Sequence, residues 1–116
     1  MAFMAAIRHY APMVASPATA PRAALRAELD ATVARLVARA AADGWPIRAD
    51  HCFLRIAYDV AVGAKWNTVV ARPAWASLSL EALRAAIVVL DTIERDGCPA
   101  LRSLNDASLA FRRAAR

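Results

Sequence analysis

Glycine is scarce in this 116-residue chain, which has only three. That excludes phosphate-cradling loops of the Walker or dinucleotide type, because they need several glycines for backbone N–H groups to reach the anion. Cysteine is scarcer: Cys52 and Cys98 are too few for a disulfide scaffold and lack the paired spacing of a zinc site. The HExxH and GxSxG signatures are missing as well. No metal and no cofactor is therefore expected. No run approaches 18 uncharged apolar residues, so no membrane-spanning helix and no membrane partner is expected. Arg8 and His9 interrupt the apolar N-terminal pieces, with no basic segment before them. A signal peptide is not expected there, and the expected compartment is the cytoplasm.

Lysine is almost absent. Of 15 Lys and Arg residues only Lys65 is lysine, and the formal net charge is +5. A basic balance invites nucleic acid, but an arginine bias beside an alanine excess also arises from GC-rich coding. The hydrophobic share of 59% overstates the core, since much of it is alanine, which favours helix but adds little transfer energy. The length suits one domain that buries about two-thirds of its unfolded surface.

Strand-like alternation is nearly absent, and helical spacing is plentiful. Pro12, Pro17 and Pro21 punctuate an N-terminal lead over residues 1–20, in which Met1 to Tyr10 could form a short helix. The helical domain is expected over 21–116. Leu25, Leu29, Val33, Leu36 and Ala40 mark a first long helix ending at Gly44. Asp50 is placed to cap a second that stops at Gly63. An irregular loop over 63–78 follows, in which Asn67 could cap one turn before Pro73. A third helix is expected from Ser79 to Gly97 and a fourth from Pro99, with Arg112, Arg113 and Arg116 at its end, where cations suit the helix dipole. The expected fold is an all-α bundle of four main helices with a core of Leu29, Leu36, Phe53, Ile56, Val60, Leu83, Ile87, Leu90 and Leu104.

The second helix carries the densest chemistry. At roughly 100° per residue, Phe53, Ile56, Ala57, Val60 and Ala61 share one face, and His51, Arg55, Tyr58 and Asp59 share the opposite one. Imidazole, guanidinium, phenol and carboxylate together could hold an anion or share a proton, and histidine is the side chain that ordinarily titrates near neutral pH. These four are the candidate catalytic residues. They also suit a solvated face, with Arg55 and Asp59 as an i,i+4 ion pair. Cys52 next to His51 is a poor thiol site, because neighbours on a helix point about 100° apart.

Beyond that helix, Lys65, Trp66, Arg72 and Trp75 interleave cations with indoles. Single-stranded nucleic acid is held that way, and so is a loop anchored by two tryptophans. A helix-turn-helix lacks room, since only Asn67 to Arg72 precede Pro73. Arg35 and Arg39 form a like-charge i,i+4 pair that an acidic side chain from elsewhere in the fold would relieve.

The run Asp50 to Asp59, followed by Gly63-Ala64-Lys65-Trp66 and later by Leu104-Asn105 and Ser108-Leu109, resembles a small bacterial family sometimes labelled GCN5-related acetyltransferase. The resemblance covers roughly the second half of the chain. An acetyltransferase of that type implies a mixed α/β fold and a Gly-containing loop for the acyl-CoA pyrophosphate. The residues carry neither, and no catalytic residue follows from the resemblance.

The expected function is that of a small basic helical binding or regulatory protein. Its binding residues are His51, Arg55, Asp59, Lys65, Trp66 and Arg72, on helix 50–62 and loop 63–78. The expected partner is a protein or a second copy of the chain, with nucleic acid as the alternative. The rival reading is a small enzyme or enzyme subunit using His51, Arg55, Tyr58 and Asp59 on an anionic substrate. Concavity over the polar stripe favours the enzyme and a convex face the binder.

Overall fold

Leu29, Val33, Leu36 and Ala40 recur at intervals of three and four, and all four are buried. They form the inner stripe of α1 (Thr19–Asp43), the longest helix of the computed structural model, which describes residues 19–116. The short helix expected over Met1 to Tyr10 lies outside the described residues. Pro21 falls in the first turn of α1, where a missing N–H breaks no intrahelical bond. At the other end Gly44 takes φ +67°. The Trp45 N–H then donates to the Ala40 carbonyl at 3.0 Å, turning the chain so that the indole is buried against the bundle.

The remaining elements are α2 (Asp50–Val62), a 3-10 turn (Trp66–Thr68), the single-turn α3 (Ala74–Ser77), α4 (Leu80–Asp96) and α5 (Cys98–Ala114). No strand occurs among the described residues, so the fold is all-α and lacks the mixed α/β layout implied by the acetyltransferase resemblance. No helix there is long and apolar enough to cross a membrane.

α2 is the hub, packing on α4, α5 and α1. Its Phe53, Ile56 and Ala57 are sealed from solvent, as are Leu36 of α1, Leu90 and Ile93 of α4 and Leu101 of α5. Of the nine expected core residues seven are buried, whereas Val60 and Leu104 are only partly covered at its edge.

Two expected caps are corrected. Ala49, not Asp50, precedes α2 in extended conformation; Asp50 is the first helical residue, and its Oδ1 accepts from the His51 N–H at 2.6 Å. A carboxylate in the first turn still suits the helix dipole. Lys65, not Asn67, precedes the 3-10 turn. Ser79 does cap α4, its Oγ accepting from the Ala82 N–H at 3.0 Å. The Arg35/Arg39 pair is relieved from α4, where Arg35 donates to both Glu94 carboxylate oxygens at 2.8 and 3.2 Å and Arg39 to the Glu94 carbonyl, and from α1 itself, where Asp43 accepts from Arg39 at 3.4 Å.

Candidate functional site

The polar stripe of α2 divides into two environments. Asp59 faces α5 and is completely buried. Its Oδ2 accepts from Ser108 Oγ and from Arg112 Nε, each at 2.7 Å. Its Oδ1 accepts from Arg112 Nη2 at 3.3 Å and from the Trp66 backbone N–H at 3.0 Å. The Asp59 carbonyl also accepts from the N–H groups of Gly63 and Ala64. Gly63 adopts φ +74°, the left-handed conformation that closes this turn. One residue thus fastens α2 to α5 and fixes where the following loop begins.

Arg55 is not paired with Asp59, contrary to the expected i,i+4 bridge. Its Nη1 donates to Ser108 Oγ and its Nη2 to Asn105 Oδ1, both at 2.7 Å. Ser108 therefore accepts from Arg55 and donates to Asp59, and the three form a continuous polar seam with Arg112. Pattern reading missed Asn105, Ser108 and Arg112 as partners of α2, although their spacing of three and four places them on one face of α5.

On the other side of the stripe, His51, Arg55 and Tyr58 join Leu54, Trp66, Arg72, Pro73, Ala74 and Trp75 around a cleft of about 380 Å³. That volume is within the range of ligand sites. Trp66 packs edge-on against Tyr58 with ring centres 5.7 Å apart. The Arg72 guanidinium lies 5.7 Å from the Trp66 ring centre. The opposite wall is clamped from α1: Arg26 sits 3.8 Å over the Trp75 ring, and Arg22 donates to the carbonyls of Trp75 and Leu78. Lys65 and Asp59 do not line the cleft.

The protonation chemistry of the cleft is limited. Burial pushes the Tyr58 phenol up to about 12, with Asp30 adding to the effect and Arg26 opposing it. It stays protonated near neutral pH, where its hydroxyl can donate or accept a hydrogen bond but is no base. His51 stands at the rim with its side chain 82% exposed and Nδ1 3.5 Å from Asp50. Cys52 and Cys98 are unbonded and half-buried. Among the described residues no group of three or more His, Cys, Asp or Glu could hold a metal.

No known protein family, curated protein or solved structure matches this chain.

Proposed function

We propose that the protein is a small binding module that accepts an acidic segment of a partner protein, with one large apolar side chain, into the cleft between α2 and loop 63–78. The observation that supports this reading is the juxtaposition of the exposed Arg72 and His51 with walls made by Trp66, Trp75 and Leu54. The indoles offer apolar area at little cost in side-chain entropy, and guanidinium groups suit carboxylates. Asp50 beside His51 is the acidic exception on the rim.

The cleft over His51, Arg55 and Tyr58 is concave, and by shape alone it favours an enzyme. The chemistry favours the binder, because two of the four candidate catalytic groups are committed elsewhere. Asp59 is enclosed by Arg112, Ser108 and the Trp66 N–H, and both terminal nitrogens of Arg55 are taken by Ser108 and Asn105. A nucleic-acid platform is less favoured, since Arg26 already covers one face of the Trp75 indole.

Selection from a random peptide display library tests the reading. Enriched peptides are expected to combine Asp or Glu with Trp, Phe or Leu, and to lose binding on Arg72→Glu. Enrichment of basic peptides, no enrichment, or binding indifferent to Arg72→Glu and Trp66→Ala would overturn it.

A further inference from the structure

The residues that α4 leaves exposed form a narrow, regular stripe, with Asp96 beside its last member. Glu81, Arg84, Val88, Asp91 and Arg95 are all exposed. They recur at intervals of three and four, the spacing of a helix-pairing seam. Val88 at the centre is 61% exposed, the most open large apolar side chain among the described residues. Beside it, Leu25 and Glu28 of α1 and Arg84, Ile87 and Asp91 of α4 edge a shallow groove of about 320 Å³.

The order of charges along this stripe is self-complementary. Glu81 lies seven residues before Val88 and Arg95 seven after; Arg84 lies four before and Asp91 three after. An antiparallel copy of the helix, with its dyad at Val88, therefore sets Glu81 against Arg95 and Arg84 against Asp91, twice each. A parallel in-register copy would set every charge against its own kind. The charges are also available. Glu81, Arg84 and Asp91 close no salt bridge among the described residues, although Asp91 and Glu28 lie within electrostatic reach of Arg35. Among the described residues Arg95 pairs with its neighbour Asp96 alone, and its side chain is 73% exposed.

We propose that this face of α4 is an isologous interface with a second copy of the chain, packed antiparallel about Val88, whose side chain enters the groove beside Leu25 and Ile87 of the other copy. Two-fold pairing is the commonest closed arrangement of soluble oligomers, and it requires this self-complementarity. The interface shares no residue with the aromatic cleft, so it stands or falls independently of the proposed function.

Sedimentation equilibrium of the full chain tests it, together with two charge variants at exposed positions whose helicity is checked by circular dichroism. The wild-type mass is expected to rise from the 12.5 kDa monomer toward twice that value between roughly 1 μM and 1 mM. The all-cationic stripe (Glu81→Arg with Asp91→Arg) and the all-anionic stripe (Arg84→Glu with Arg95→Glu) should each be monomeric alone. Mixed in equal amounts, they should regain the dimer mass as a heterodimer. A wild type that stays monomeric throughout, a dimer that persists in each variant alone, or variants that fail to associate on mixing would overturn the proposal.

Discussion

Arg112 grips Asp59 through two N–H donors across the α2–α5 interface, with the carboxylate 0% exposed and the guanidinium side chain 26% exposed. The asymmetry decides which half matters more. Losing Arg112 leaves a charge buried with only Ser108 Oγ and the Trp66 N–H as donors, whereas losing Asp59 leaves a guanidinium that can turn to water. Arg112→Ala should therefore cost about 3–5 kcal/mol. Asp59→Ala should cost less, about 2–3 kcal/mol, from orphaning Ser108 and the Trp66 N–H. Urea unfolding of both variants checks the order, and a larger loss for Asp59→Ala would show that loop anchoring dominates over the buried charge.

Tyr58 gives the fold an alkaline limit. Its folded value of about 12 stands above the ordinary phenol value of 10.0, so the native state holds the proton more tightly than the unfolded chain does. The stabilisation is whole below pH 10 and is lost as pH rises through 12, by up to about 3 kcal/mol from this group. Tyr58→Phe should remove that component of the slope. Denaturant midpoints at pH 8 and pH 11 measure it, and an unchanged slope in the phenylalanine variant would contradict the assignment.

The helices were legible because each repeats large apolar residues at three and four between recognisable breaks at Gly44, Gly63 and Gly97. Trp45 was not, since it lies outside any helical pattern and is buried only because Gly44 turns the chain back. The stripe of α2 read correctly as polar but not as two environments. Arg55 and Asp59 match Asn105, Ser108 and Arg112 in spacing, yet only the packing of α5 against α2 makes those stripes meet. Once they meet, Asn105 and Ser108 take up Arg55 while Arg112 takes up Asp59, and the two charges of α2 are joined only through the shared serine. The cleft was half-visible: Trp66 and Arg72 stood out by type, but Pro73, Ala74 and the clamps from Arg22 and Arg26 depend on how α1 receives α3.

Phe53 and Leu36 are fully enclosed and sit at the meeting of α1, α2 and α4. Phe53→Ala should cost about 3–5 kcal/mol and Leu36→Ala about 2–5 kcal/mol. Val60→Ala and Leu104→Ala, at partly covered positions, should cost less than either. Thermal or chemical unfolding ranks the four, and an inverted ranking would mean that the core lies elsewhere than around α2.

The net charge of +5 bears on the last expectation, which is that no tight complex forms with nucleic acid. Phosphate binding requires cations free to face a backbone, and each such contact steepens the salt dependence. Arg22, Arg35, Arg39, Arg55 and Arg112 are instead engaged with carbonyls, carboxylates or hydroxyls of the fold itself. The indoles are engaged as well, Trp75 under Arg26 and Trp66 against Tyr58. Fluorescence anisotropy with labelled single- and double-stranded DNA and RNA, at an ionic strength where the Debye length is about 8 Å, should show no submicromolar binding. A salt-sensitive complex weakened by Lys65→Ala and Arg72→Ala would mean that the charged loop serves phosphates, and would transfer the cleft from an acidic peptide to a nucleic-acid strand.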